Sequence, residues 1–596
     1  MLTLLCVPIM VNDEASALAD AALAKSLGAD LVEFRVDEFF SGINSTDDLD
    51  HAAAREQLAV VRLVSASPLP CIATCRPTWE GGHYDGDEMA RVSLYERLGT
   101  ASGRDEHPPR YLDIELAAYT RSANLKQKIN LAVDHPEQRR DLVSSLILSM
   151  HDFQGRPADL SRRVLAMKAE PAAKVLKVAF RARSIRDNME LFELLRDRDR
   201  PMIALGMGDF GLMSRVLAPK FGAFLTFASL RESSGTAPGQ PTIAELLGTY
   251  RFRSIGPKTK VFGIVGWPVS HSMSPTVHNA GFAAVGFDGV YVPMPVAVGE
   301  KQTDATTAAP TTTDLAASGS YESFKATLGE LVDEPTLDFT GCSVTMPHKE
   351  NLVRLARERG WSLDEASSVI GAANTLHVTR DQTGKVLAAR VFNTDSPALA
   401  SCILSALKIA RGGSFDPDRK LRDVQVAIVG AGGVGRAAAY ATAALGASVV
   451  IFNRSLDRAA TLATLLNNAE HVRDRGGNAV AAEWSLLAKA RCEVFVQCTS
   501  VGMKGGPDPE GSPVTIDTLV REVEAQRSSE KFRTIALETV YAPLQTLFLR
   551  DAHAAGWVTV DGASMFVEQA ALQFEAWTRN AAPKKLFEKL VRERLR

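Results

Sequence analysis

The sequence has little cysteine, seven residues in 596, and the number is odd. None forms a CxxC pair, and no HExxH is present. These absences argue against a disulfide framework and a structural zinc, and they suit a reducing compartment. No apolar run is long enough to span a bilayer. The opening MLTLLCVPIMVNDE has no Lys or Arg ahead of its apolar stretch. It reads as a first β-strand and not as a signal peptide. No Arg- and Ser-rich transit segment precedes it, so the expected location is the cytoplasm. Charge of one sign is scarce too: 67 basic against 70 acidic residues leave -3, which predicts no nucleic-acid and no membrane binding. Hydrophobic residues at 46% and charged residues at 23% are those of an ordinary globular protein. At roughly 150 residues per domain, the length suggests two to four domains.

Residues 1–230 hold eight apolar, mostly β-branched runs: 3–9, 31–37, 70–76, 110–116, 145–152, 174–180, 201–208 and 224–230. Helical stretches such as EASALADAALAKSLGA lie between them. Strand–helix alternation predicts a parallel sheet, and eight repeats predict a (β/α)8 barrel. A doubly wound open sheet is the structural alternative. After a helix-like PTIAELLGTYRF, the segment SIGPKTK (254–260) reads as a short linker. A second α/β region begins at VFGIVG (261–266), and a third at DVQVAIVG (423–430). Residues 301–320 carry six Thr, five Ala and no aromatic, which predicts a flexible loop insertion.

The polar residues of the barrel strands gather where a barrel keeps its chemistry, at the C-terminal ends. Strand 2 ends in EFRVD, with Glu33, Arg35 and Asp37 on one face. Strand 3 ends in Arg76, with Glu80 four residues on. Strand 5 ends in His151-Asp152, and strand 6 carries Lys177 inside VLKVAF. An unpaired buried ammonium is costly. A desolvated Lys near several Arg is expected to have a lowered pKa and to attack carbonyls. The imine so formed acidifies the neighbouring C–H, a nearby His shuttles the proton, and the Arg residues imply an anionic substrate. Taken alone, these residues predict a Schiff-base lyase or aldolase acting on a carboxylated keto compound.

The set EFRVD, CRPTWEGG, SMHDF, LKVAF, MSRVLAPKFG and TAPGQPT resembles the type I 3-dehydroquinate dehydratases, in family order over residues 1–250. The resemblance implies Lys177 as the imine-forming residue, His151 as general base and acid, and Glu80 orienting His151. It implies substrate binding by Glu33, Arg35, Arg76, Arg215, Thr236 and Gln240. Thr236 stands where bacterial members often have Ser. Lys174, the rival lysine on strand 6, points to the opposite face, and the resemblance favours Lys177.

In the second half, VFGIVGWPVSHSMSPTVHN puts Ser272 and Ser274 two residues apart, so that both hydroxyls can meet one carboxylate. CSVTMPHKE, GAANTL and FNTDS place a Lys, an Asn and an Asp after short apolar strands. Together these motifs resemble the shikimate dehydrogenases. The resemblance implies a carboxylate clamp of Ser272 and Ser274, a catalytic pair Lys349 and Asp395, and Asn374 on ring hydroxyls. Thr345, Thr394, Tyr541 and Gln569 belong to the same motifs. Ser343 and Glu538 depart from the family's usual Asn and Asp.

DVQVAIVG leads into Gly430-Ala431-Gly432-Gly433-Val434-Gly435, then a helix-forming run and the strand SVVIFN. GxGxxG in a strand–turn–helix–strand context predicts a Rossmann dinucleotide site. Where NAD-binders usually keep an acid stand Asn453-Arg454-Ser455, with Arg458 one turn on. A cation there suits a 2′-phosphate, so NADP(H) is the expected cofactor. CTSVGM (498–503) resembles the family's nicotinamide-side loop, implying Thr499 and Met503, with Gln497 where Asn is usual. No metal is expected.

The expected domains are a dehydratase barrel (1–253), a substrate domain (260–398, completed by 563–596) and a Rossmann domain (399–562). Together they imply dehydration of 3-dehydroquinate to 3-dehydroshikimate, and NADPH-dependent reduction of that product to shikimate. The rivals are a quinate-directed dehydrogenase and a non-catalytic regulator. Ser272, Ser274 and Arg454 favour shikimate and NADP, and the retained Lys177, His151, Lys349 and Asp395 favour an enzyme.

Overall fold

The computed structural model describes residues 2–41, 49–137, 143–232, 239–297, 318–412, 420–514 and 533–595. The chain divides into two compact units, Met1–Thr259 and Lys260–Arg596.

In unit 1 the eight expected runs form eight strands: β1 (Leu4–Met10), β2 (Leu31–Arg35), β3 (Cys71–Thr74), β4 (Tyr111–Glu115), β5 (Ser145–Asp152), β6 (Ala173–Arg181), β7 (Met202–Met207) and β8 (Leu225–Phe227). Their near-continuous apolar character follows from burial on both faces. Leu5, Cys6 and Val7 of β1, for example, are wholly buried. The strands run parallel in sequential order, and β8 returns to pair with β1. At the remaining seam the Phe224 N–H donates to the Met202 carbonyl at 2.8 Å. A doubly wound sheet would reverse its order at a switch point. This one does not, and it forms a nearly closed barrel.

The segment expected to be a linker is tied to unit 1. Buried Lys220 donates from Nζ to the carbonyls of Pro257 at 3.0 Å and Thr259 at 2.8 Å. A backbone whose carbonyls satisfy a buried ammonium is not free to swing.

Unit 2 begins with β9 (Lys260–Gly266), β10 (Gly289–Pro295), β11 (Phe339–Val344), β12 (Ser362–Leu363), β13 (Thr375–Arg380) and β14 (Val386–Phe392). They form one sheet in the order β10-β9-β11-β13-β14-β12. The helices Gly562–Thr578 and Lys584–Arg594 pack on it through Phe566, Phe574, Trp577 and Phe587. A second, parallel sheet holds β15 (Gln425–Val429), β16 (Ser448–Phe452), β17 (Asn478–Ala482), β18 (Val494–Gln497), β19 (Ile535–Glu538) and β20 (Val558–Val560), in the order β17-β16-β15-β18-β19-β20.

The expected loop insertion over 301–320 needs one correction. Residues 318–320 open the helix Ser318–Asp333. Its buried Tyr321, Phe324, Leu328, Leu331 and Val332 recur at helical spacing, and that apolar stripe carries the helix back into the low-complexity run. Residues 301–317 lie outside the described residues, as does Thr236.

Candidate active sites

The mouth of the barrel opens into a cavity. Its lining includes Glu33, Arg35, Arg76, Glu80, His151, Lys177, Arg215 and Gln240. The geometry therefore gathers every described candidate of unit 1 into one site.

Lys177 is 5% exposed and projects from the middle of β6. Its Nζ lies 2.7 Å from Asp113 Oδ2, 3.5 Å from Glu33 Oε1 and 4.7 Å from the centre of the Phe227 ring. The nearest groups to the amine are thus two carboxylates, whereas the sequence points to arginines. Sequence reasoning misses Asp113. The signal is there, an acid inside the apolar strand YLDIE, where burial demands a partner. Burial opposes ionisation of Asp113, but Arg76 and Lys177 outweigh it and hold the carboxyl well below its usual range.

Both terminal nitrogens of Arg76 are engaged. It reaches Glu115 at 2.6 Å, Asp113 at 2.7 Å and Ser149 at 3.0 Å. Glu115 is held on its other oxygen by buried Arg91 at 2.8 Å. Arg35 is bound on both sides of its fork by Asp37, at 2.9 Å each. Lys174 points out of the barrel, toward Asp134 at 3.3 Å.

Arg215 differs from the other arginines. It is 1% exposed, its Nε donates to the Gly206 carbonyl at 3.1 Å, and no carboxylate pairs with it among the described residues. Burial alone lowers its pKa, to about 10, so it remains a cation at neutral pH. A buried cation facing a cavity favours an anion.

His151 Nδ1 lies 3.0 Å from Glu80 Oε2, which also accepts from the His151 backbone N–H at 3.2 Å. Burial, reinforced by Arg76 and Lys177, pushes the imidazole pKa well below its ordinary value. Burial also pushes the Glu80 carboxyl up to about 8, against the pull of Arg76. A neutral imidazole engaged at Nδ1 can use Nε2 to take and return a proton.

In unit 2 the Lys349 Nζ lies 2.5 Å from Asp395 Oδ2, at the start of the helix Asp395–Arg411. Asn374 Nδ2 donates to the other carboxylate oxygen and to Thr394 Oγ, both at 2.9 Å. The Gln569 side chain reaches Thr394 Oγ at 3.5 Å. Ser274, at the start of the helix Ser274–Ala284, donates from its backbone N–H to Ser272 Oγ at 3.2 Å. Thr345 follows β11, and its N–H donates to the Val265 carbonyl. The Tyr541 ring packs on Phe566 at 5.3 Å. Ser343 is buried, between the Tyr291 hydroxyl and the Gln573 amide. Glu538 accepts from the Thr539 and Val540 N–H groups and from the Thr546 hydroxyl, and so shapes the turn that carries Tyr541.

The glycine-rich turn fits a dinucleotide. Gly430 has φ +107°, and a Cβ on Gly435 would stand 2.0 Å from the Gly430 carbonyl oxygen. A Cβ on Gly432 would meet nothing within 4 Å, so this side of the turn is open to a pyrophosphate at the start of the helix Gly433–Ala443. A Cβ on Gly433 would touch the Lys349 stem at 2.9 Å, which sets the turn directly against the Lys–Asp pair. Ala431 donates its N–H to Asn453 Oδ1, whose Nδ2 donates to the Ser455 carbonyl. The Asn453 side chain is therefore spent on backbone. Arg454 and Ser455 are exposed just past β16, and Arg458 lies 3.6 Å from Glu350. The helix beyond Ser455 starts at Leu456. Val434 packs on the core of the second sheet. Thr499 donates its N–H to Gln497 Oε1 and borders Gly430, and half-buried Met503 lies further along the same loop.

Family models match this architecture in order: "Type I 3-dehydroquinase" over residues 5–257, "Shikimate dehydrogenase substrate binding domain" over 264–376, and "Shikimate 5'-dehydrogenase C-terminal domain" over 562–592. The Arabidopsis thaliana chloroplastic bifunctional 3-dehydroquinate dehydratase/shikimate dehydrogenase is 35% identical over 590 residues, covering 98% of this chain and 83% of that protein. The chain belongs to the bifunctional 3-dehydroquinate dehydratase/shikimate dehydrogenase family. An NADP(+) shikimate dehydrogenase of Methanopyrus kandleri is 33% identical over 348 residues, which is 58% of this chain and 98% of that one. The dehydroquinate dehydratase and shikimate dehydrogenase structure from S. pombe AroM covers 99% of this chain and 98% of its own, at 21% identity and a TM-score of 0.39.

As a member of the bifunctional family, the protein is a shikimate-pathway enzyme with a lyase half and an oxidoreductase half. Among the described residues no helix is long and apolar enough to cross a membrane. No cluster of three or more His, Cys, Asp or Glu there is placed to hold a metal ion.

Proposed function

We propose that residues 1–253 dehydrate 3-dehydroquinate to 3-dehydroshikimate. Residues 260–398, completed by 563–596, then hold that product while residues 399–562 bind NADP(H), and the ketone is reduced to shikimate. One observation carries this reading. Each unit sets one lysine amine against a carboxylate, Lys177 at 2.7 Å from Asp113 and Lys349 at 2.5 Å from Asp395.

In the barrel, Lys177 reacts as its free amine at the C3 ketone, and loss of water leaves an imine. The imine withdraws electrons, and His151 Nε2 takes the proton from the adjacent C2. The C1 hydroxyl then leaves as water, with the proton returned by His151. Hydrolysis of the imine releases the product and restores the amine. Asp113 and Glu33 aim Nζ, and Glu80 fixes the ring of His151. Arg215, a buried cation without a carboxylate partner among the described residues, is suited to the substrate carboxylate. Thr236 and Gln240 belong to the same substrate-binding proposal.

In unit 2, Ser272 and Ser274 bind the substrate carboxylate, with Thr345, Asn374, Thr394, Tyr541 and Gln569 around the ring. Gly430, Gly432 and Gly435 would hold the pyrophosphate of a dinucleotide whose nicotinamide would supply the hydride. Lys349 delivers the proton to the developing C3 alkoxide, and Asp395 holds the ammonium in position. Exposed Arg454, with half-buried Arg458 one turn on, supplies positive charge for a 2′-phosphate, which supports NADP(H) over NAD(H). All seven cysteines are free thiols, which supports a reducing compartment, and we place the enzyme in the cytoplasm.

Separate assays test the two halves. The wild type is expected to convert 3-dehydroquinate to an enone without nucleotide, and to reduce NADP when given shikimate. Absence of either activity contradicts the reading for that half.

A further inference from the structure

Unit 2 buries an unbroken file of hydrogen-bonding side chains that runs from Tyr291, beside Ser274, to Asp395. Its proton positions follow one by one from a single backbone donor. The Thr394 N–H donates to Asn374 Oδ1 at 2.8 Å, so this end of the amide is oxygen and Nδ2 faces Asp395. Thr375 Oγ lies 2.8 Å from the same Oδ1, which only accepts, so the Thr375 hydroxyl donates. With that proton spent, Thr375 Oγ accepts from Gln573 Nε2 at 3.0 Å. The Asn374 carbonyl, 3.5 Å from the same Nε2, requires the same amide orientation. Gln573 Oε1 then accepts from the Ser343 hydroxyl at 2.8 Å, and Ser343 Oγ accepts from the Tyr291 hydroxyl at 2.7 Å. The Tyr291 oxygen is left as an acceptor, and the Ser274 hydroxyl is the donor beside it. Every donor points from the serine clamp toward the Asp395 carboxylate.

Tyr291 and Thr375 are wholly buried, Gln573 is 1% exposed and Ser343 is 6% exposed. Strands β10, β11 and β13 and the helix Gly562–Thr578 each contribute one member. Bonds running in one direction polarise one another, and a cut anywhere leaves buried groups unpaired on both sides of it. Apolar residues would fill this space without that liability, so the stability of the sheet alone does not account for the file.

We propose that Tyr291, Ser343, Gln573 and Thr375 are positioning residues of the dehydrogenase. They touch no reacting atom. At one end they orient Asn374 and Asp395, and through them Lys349. At the other they fix the Ser274 hydroxyl. The inference rests on Lys349 and Asp395 acting as the catalytic pair.

Steady-state oxidation of shikimate by the full-length protein tests it, because the two ends of the file affect different constants. Thr375→Val, beside the catalytic pair, lowers kcat about tenfold and leaves the KM for shikimate within about twofold, while Thr375→Ser restores kcat. Tyr291→Phe, beside the clamp, raises that KM about fivefold with little change in kcat. Combined, the two substitutions cost less in kcat/KM than the product of their separate effects, because the file is already broken. Should Thr375→Val fail to fold, Tyr291→Phe paired with Ser343→Ala gives the same test on adjacent links. Variants that lose only melting temperature, or that combine with full additivity, overturn the proposal. A wild type that oxidises no shikimate overturns instead the catalytic reading beneath it, whatever the variants do in combination.

Discussion

Lys174 and Lys177 are three residues apart on one strand and meet opposite environments. Lys174 is 39% exposed and pairs with Asp134 at the surface, whereas Lys177 is buried in the cavity beside Asp113. Borohydride added during turnover of 3-dehydroquinate is therefore expected to fix the ligand on Lys177, and peptide mapping that finds it on Lys174 contradicts the assignment. The site residues are legible from the sequence where they lie at or just past a strand end, as His151 and Arg76 do. Asp113, Glu115 and Ser149 are not, because alternation within a fully buried strand does not by itself reveal which face looks inward. Proton economy gives a second test. Burial keeps His151 neutral well below the ordinary histidine range and holds the Glu80 carboxyl at about 8. Dehydration should thus stay level as pH falls from about 7 to about 6, and bend as Glu80 loses its proton near 8. Glu80→Gln is expected to remove the bend; a variant profile that still bends there assigns it to another group. Arg454 carries the cofactor choice. Arg454→Ala is expected to raise the KM for NADP about tenfold and to change NAD use little. An unchanged KM for NADP sinks the phosphate-clamp reading.

At the scale of elements, the glycine-rich turn makes two glycines behave differently. Gly435 has a carbonyl oxygen where its Cβ would stand, so Gly435→Ala distorts the turn itself. Gly432 faces open space, so Gly432→Ala is expected to fold with an unchanged melting temperature and to lose NADP affinity by crowding the pyrophosphate. Calorimetric titration with NADP checks this, and full affinity in Gly432→Ala would place the nucleotide elsewhere. The turn carrying Tyr541 has its own pH signature. Burial raises the Glu538 carboxyl from 4.5 to about 7, against three hydrogen bonds. The folded state thus favours the neutral form. Its contribution is full below about 4.5 and is lost as pH rises through about 7. Unit 2 should therefore melt lower at about pH 8 than at about pH 6, and Glu538→Gln should narrow the gap. A gap that persists in the variant clears Glu538. The strands of the barrel are plain in the sequence because parallel strands buried on both faces are continuous apolar runs. The file from Tyr291 to Thr375 is not, because it joins four elements up to 282 residues apart through ordinary polar side chains.

At the scale of the whole molecule, the chain keeps two separate chemistries in two compact units, each with its own core and its own lysine–carboxylate pair. Lys177→Ala should abolish dehydration and leave shikimate oxidation intact, and Lys349→Ala should do the reverse. Gly256 and Pro257 make the division at residue 259 look like a linker, yet Lys220 holds that segment to unit 1, an effect composition cannot reveal. The central claim is that one chain carries out both consecutive steps, and a single coupled measurement tests it most directly. Pure protein receives 3-dehydroquinate and NADPH, and product formation is followed by NMR alongside nucleotide absorbance. The account predicts shikimate and one NADPH consumed for each molecule formed. Accumulation of 3-dehydroshikimate with NADPH untouched, or 3-dehydroquinate left unchanged, would contradict it.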